Sequence, residues 1–279
     1  SAIDLTPTAA KDGYTFVGWN TNKDATSKLD SLNIGAGNVT LYAIYSKTIT
    51  GTFNYFDGTK AANKQVSQTV YNKTTQATIK APTLENASKD STTYTARGWS
   101  TSNAADATVN VNSGANVTLS SSATYYASYQ ATITATFYYH TGDNWTTTQS
   151  SATASATRFM NYAGTYKQSN IAVPSAVSSS AGYVSTTYKG VSNAKSSATL
   201  VTPSTASTAY YAVYNVEITY YYYNGSSHTS STGIRTSTTN GSAYGASVNT
   251  EPKPTAYDGA NFKWWSYSPT QISSDYQRT

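Results

Sequence analysis

Residues 126–137 read Tyr126-Ala127-Ser128-Tyr129-Gln130-Ala131-Thr132-Ile133-Thr134-Ala135-Thr136-Phe137, and the chain carries this stretch three times. The first half returns as Tyr42-Ala43-Ile44-Tyr45 and Tyr211-Ala212-Val213-Tyr214, at steps of 84 and 85 residues. The second half returns with the same steps as Thr48-Ile49-Thr50 through Phe53 and Glu217-Ile218-Thr219 through Tyr222. Aromatic and β-branched residues alternating with Ser, Thr and Ala predict strands with one wet face. A fixed period of this length predicts structural units that pack against their neighbours in a row.

A second element carries tryptophan. Tyr14-Thr15-Phe16-Val17-Gly18-Trp19 matches Tyr94-Thr95-Ala96-Arg97-Gly98-Trp99, and Tyr188-Lys189-Gly190-Val191 is a degenerate copy with Val in place of Trp. Pro174 precedes Val191 by the same 17 residues that separate Pro82 from Trp99. Asp258-Gly259 through Trp264-Trp265 aligns with Asp12-Gly13 through Gly18-Trp19, which makes a fourth copy. The resulting frame is a partial module over 1–46, complete modules over 47–130 and 131–215, and a module over 216–279 that lacks its last strand. Two or three residues separate each Tyr-Ala-x-Tyr strand from the opening strand that follows, too few for a flexible linker. Opening strands end in turn chemistry at Asp57-Gly58, Thr141-Gly142 and Asn224-Gly225, and a short helix or loop is expected around each proline. The fold class is therefore mainly β, at most α+β: a tandem array of small four-stranded modules packed end to end.

Composition agrees once the tyrosines are counted. Leu, Ile, Val and Phe together number 38 of 279 residues, below the roughly 20% expected of a folded chain. Yet the net charge is only +5 and there are 26 Tyr, and a buried Tyr or Trp removes about 150–250 Å² from water. The core is expected to be built on tyrosine. Zero Cys excludes disulfides, thiol catalysis and Cys-based metal sites. Lys and Arg are scattered rather than clustered, which argues against nucleic acid as a partner. No apolar run is long enough for a membrane helix.

Lys11-Asp12-Gly13-Tyr14-Thr15-Phe16-Val17-Gly18-Trp19 followed by Asn38-Val39-Thr40-Leu41-Tyr42-Ala43-Ile44-Tyr45 resembles the Listeria-Bacteroides repeat, the B-repeat type of internalin-like surface proteins. The second unit keeps Gly98-Trp99 and Tyr126-Ala127-Ser128-Tyr129 but carries a Ser-rich insert at 120–123; the third loses the Trp, and the fourth has Trp264 at the motif glycine. The resemblance implies a β-grasp-like module, similar to mucin-binding-protein modules, in tandem in secreted or wall-anchored bacterial proteins. It brings no catalytic residues.

The chemistry-bearing residues give little for catalysis. His140 and His228 flank hairpin turns away from any nucleophile motif, and Asp143-Asn144 falls short of a calcium ligand set. A cross-link at Glu217 is not repeated, because Thr48 and Thr132 stand at its equivalents. No enzyme, cofactor or metal site is expected. Trp19, Trp99, Tyr42, Tyr45, Tyr126, Tyr129, Tyr211, Tyr214 and Trp265 are assigned to the repeated core. Trp145 in its hairpin loop, Trp264, Tyr221 and Tyr223 are the candidate ligand platforms.

The expected function is a non-enzymatic stalk segment of a bacterial surface adhesin, extracellular, that spaces and supports attachment. Two alternatives stand beside it. The modules could bind mucin-type glycans through exposed Tyr and Trp. The incomplete first and last modules would also suit a fibre subunit that completes a second copy of itself by strand donation.

Overall fold

Tyr125, Ala127, Tyr129, Ala131, Ile133, Ala135 and Phe137 are all buried, while Gln130, Thr132 and Thr134 between them are exposed. This alternation keeps phase across the point where two strands were expected. The Tyr-Ala-x-Tyr strand and the opening strand are therefore one continuous strand, because nothing between Tyr129 and Thr132 breaks the period of two.

The computed structural model describes residues 13–32, 35, 37–140, 149–180, 186–195, 197, 199–223 and 228–238. They form β1 (Thr15–Asn20), β2 (Tyr42–Phe56), β3 (Ala61–Tyr71), β4 (Ala77–Lys80), β5 (Ala87–Lys89), β6 (Thr92–Ser100), β7 (Asn116–Leu119), β8 (Ala123–His140), β9 (Gln149–Asn161), β10 (Tyr166–Lys167), α1 (Ser175–Ser178), β11 (Thr186–Ser192), β12 (Ala209–Tyr223) and β13 (His228–Thr238). The chain is mainly β in open sheets, and the three long strands β2, β8 and β12 each contain one Tyr-Ala-x-Tyr motif and one opening segment. It divides into two compact units, one of residues 1–131 and 158–167, the other of 132–157 and 168–279.

In the first unit β2 carries β3 antiparallel along one edge, from Ser46↔Tyr71 to Phe56↔Ala61. Its other edge holds β1 and then, in parallel, the start of β8, from Gly51↔Ala123 to Asn54↔Tyr126. β6 closes the sheet antiparallel to β8. The strand order is β3–β2–β8–β6 with the central pair parallel. Ile49, Phe53, Ile79, Tyr94, Trp99, Tyr125 and Tyr129 form the core beneath it. Three short strands go beyond the four expected: β4 pairs β7, placing Ala77 and Ile79 inward, and β5 pairs β6 through Asp90 and Ser91, both at positive φ.

The second unit repeats the plan. β12 pairs β8 in parallel from Ala209↔Thr136 to Tyr211↔Tyr138, β11 lies antiparallel on β12, and β13 follows the far side of β12 from Val213↔Thr238 to Tyr223↔His228. The core gathers Ala135, Phe137, Ile171, Val177, Val191, Tyr210, Ala212 and Tyr214. The segment after Pro174 is the single turn α1, whereas that after Pro82 has no helix.

Candidate functional site: the aromatic joints of the repeats

The two sequence motifs meet as one constellation. In each of the three described copies the bulge glycine pairs with the variable residue of Tyr-Ala-x-Tyr: Gly18↔Ile44, Gly98↔Ser128 and Gly190↔Val213. The next pair sets the Trp position against alanine, as Trp19↔Ala43, Trp99↔Ala127 and Val191↔Ala212. A methyl group opposite leaves the ring its space, which explains why the motif is Tyr-Ala rather than two large residues. Register slips by one residue before each glycine, so the residue at the bulge is driven to φ of +147°, +137° and +151°.

Trp99 then ties the core together. Its ring meets the edge of Phe53 at 5.0 Å, and its indole N–H donates to the Pro82 carbonyl at 3.1 Å. The 17-residue spacing between proline and Trp is thus a hydrogen bond. Where Val191 replaces Trp, the Pro174 carbonyl instead accepts from the N–H groups of Val177 and Ser178 and starts α1.

The parallel overlaps of the long strands carry stacked rings on the buried face: Phe53 on Tyr125 at 5.1 Å and Phe137 on Tyr210 at 5.2 Å. Tyr125 and Tyr210, the residues just before Tyr-Ala-x-Tyr, are core members that the motif reading missed. Leu41 at the equivalent place in the first copy breaks the pattern by which they could have been found. On the opposite face Tyr138 stacks on Tyr211 at 5.3 Å.

The second strands β3 and β9 also reach back to the preceding repeat through the asparagines at their ends. Asn72, at φ +53°, donates its amide to the carbonyls of Lys23 and Ala25, and its side-chain oxygen accepts from Tyr45 N–H. Asn161 does the same to the carbonyl of Asn103, which stands four residues after Trp99 as Lys23 stands four after Trp19. Around Asn161 the grip is stronger. Tyr166 stacks on Tyr94 at 5.6 Å and donates to Asp90 at 2.7 Å, Arg158 lies 4.6 Å over the Tyr166 ring, and Lys167 pairs with Asp106. We expect Asn72→Ala to cost about 1–2 kcal/mol in urea unfolding, from lost hydrogen bonds and a positive φ that Ala resists. Asn72→Gly should recover the backbone part of that loss.

Burial sets the electrostatics. The Tyr129 hydroxyl, at the base of the second repeat, accepts from Phe56 N–H, and burial pushes its pKa up to about 12. Burial also raises the hydroxyls of Tyr125, Tyr188 and Tyr166, the last helped by its bond to Asp90. A tyrosine raised in the folded state stabilises fully below its unfolded pKa near 10, and that contribution is lost as pH rises through the folded value. Stability should therefore hold to about pH 10 and fall steeply between about pH 10 and 12. Urea midpoints measured across that range check this, and Tyr129→Phe should flatten the fall. The backbone N–H of Lys60, then the Thr59 hydroxyl and N–H, hold the Asp57 carboxyl below its usual range in the first hairpin turn.

A cleft of about 520 Å³ opens between that turn and residues 82–88. Trp99 and Tyr129 line it but are buried, so it offers a polar rim with Asp57, Lys64 and Glu85. Among the described residues no group of three or more His, Asp or Glu side chains could hold a metal ion, and no helix is long and apolar enough to cross a membrane.

The core candidates separate by face. Trp99, Tyr129 and Tyr214 are fully buried, whereas Trp19, Tyr45, Tyr126 and Tyr211 are half-buried. Tyr42, expected in the core, is 41% exposed. It starts the motif on the outward side, so the inward ring is the one three residues later. Tyr221 and Tyr223 lie on β12 opposite Ser230 and His228, and Glu217 opposite Ile234. Trp145, Trp264 and Trp265 fall outside the described residues, as does the Asp143-Asn144 pair. No curated protein and no solved structure matches the chain. Residues 1–44 match the family model of the Listeria-Bacteroides repeat domain, the family that the Gly-Tyr-Thr-Phe-x-Gly-Trp and Val-Thr-Leu-Tyr-Ala motifs resemble.

Proposed function

We propose that this chain is a non-enzymatic stalk segment of a bacterial surface protein, working outside the cell to space and support attachment made by other parts. Repeats of the matched family are typical of bacterial surface proteins. The observation that carries the reading is the manner of connection: the strand that closes one repeat is the strand that opens the next, so no flexible linker intervenes. The order β3–β2–β8–β6 around a parallel central pair supports the reading of tandem β-grasp-like modules. Displayed on a bacterial surface between a wall anchor and a domain of known ligand, the segment should support attachment under flow. The same segment without that domain should give none. Attachment by the bare segment, lost in Trp145→Ala, would instead establish the glycan-binding reading.

A further inference from the structure

We infer that the parallel overlaps of the long strands are mechanical lap joints, each loaded in shear when the chain is pulled from its two ends. The second repeat is entered along β2 and left along β8, and the two strands run parallel with Gly51–Asn54 beside Ala123–Tyr126. Pulling β2 toward its N-terminal side and β8 toward its C-terminal side slides one along the other. The evenly spaced hydrogen bonds of a parallel pair then share the load and must give way nearly together, whereas bonds peeled from one end give way singly.

Side chains lengthen the joint. Thr50 N–H donates to the Ser122 hydroxyl just before the overlap, and Phe56 N–H donates to the Tyr129 hydroxyl just after it. Asn54 donates its amide to the Tyr125 carbonyl within it. Sliding must also drag the Phe53 ring across the Tyr125 ring it stacks on, and Phe53 is held as well by its edge contact with Trp99. The same parts recur between β8 and β12: the parallel pairs Thr136–Tyr138 with Ala209–Tyr211, the Phe137–Tyr210 stack, and Thr136 N–H on the Thr208 carbonyl. This rests on the stalk reading for its purpose but not for its test.

The chain has no Cys, so two introduced cysteines are unique handles for single-molecule pulling on the full chain. Thr48→Cys with Gln130→Cys places exposed handles at opposite ends of the overlap, roughly 33 Å apart along the strands at about 3.3 Å per residue, and loads it in shear. Lys60→Cys with Gln130→Cys places both at the same end and peels β2 from β8. The rupture force in shear should exceed that in peeling by about twofold or more. Tyr125→Leu should lower the shear force and leave the peeling force nearly unchanged, with urea unfolding confirming that each variant is folded. Equal forces in the two directions, or a shear force indifferent to Tyr125→Leu, would overturn the joint. Attachment by the bare segment would overturn the stalk reading while leaving the directional force difference in place.

Discussion

Trp99→Ala is expected to destabilise the first compact unit by about 3–5 kcal/mol, the usual cost of emptying the site of a fully buried large aromatic. Trp99 is 1% exposed and touches three elements at once: Phe53 on β2, the Pro82 carbonyl, and Val111, whose N–H donates to the Trp99 carbonyl and whose own carbonyl accepts from Trp99 N–H. The ring contacts and the indole bond go with the side chain, and the Pro82 carbonyl keeps only the Gly114 N–H as donor. Trp99→Phe should retain most of the packing and lose the indole bond, at about 1–2 kcal/mol. Trp19→Ala in the first copy should cost less than Trp99→Ala, because that ring is only half-buried. Calorimetry of the whole chain reads all three, as a displaced transition for Trp99→Ala and a smaller displacement for the others. Equal losses at Trp19 and Trp99 would mean that burial does not set the value of the motif.

The repeat itself was legible because its strands alternate strictly and recur at near-constant steps; a Tyr-rich strand advertises its inward face through Ala and Ile as clearly as through Tyr. What periodicity could not convey is that Tyr129 and Thr132 belong to one strand, since a short interval reads equally as a turn or as a continuation. Nor did it separate Tyr126 from Tyr125. Both are aromatic neighbours on opposite faces, and only the parallel partner Phe53 decides which is inward. Strands β4 and β7 are four residues each and draw their support from pairing at long range, Ala77 with Leu119, so no local pattern marks them. The reach of Asn72 and Asn161 was hidden for another reason. They stand 89 residues apart, out of step with the strands because more residues separate β8 from β9 than separate β2 from β3. Their role depends on a carbonyl in the preceding repeat that no spacing within one repeat specifies.

Gly98→Ala should be as damaging as many core truncations, at about 2–4 kcal/mol, though it removes nothing. At φ +137° an L-residue is strained by about 1–3 kcal/mol. The new Cβ would also stand 2.7 Å from Val109 Cγ1, closer than atoms tolerate, and 3.0 Å from the Val111 carbonyl oxygen, a contact that oxygen would have to relieve. The Val111 oxygen cannot retreat, because it accepts from Trp99 N–H at 2.9 Å. Gly190→Ala tests the same bulge with the steric part reduced. There φ is +151° and the nearest obstacle is Leu200 Cδ2 at 3.0 Å, the far end of an exposed side chain that can turn away. The strain alone should remain, at about 1–3 kcal/mol. Urea unfolding of the two variants therefore separates backbone conformation from crowding, the difference between them being the cost of the Val109 and Val111 contacts. A Gly98→Ala chain as stable as the parent would show that the bulge can shift register without loss. The pairing of Trp99 with Ala127 would then cease to be the feature that fixes the repeat.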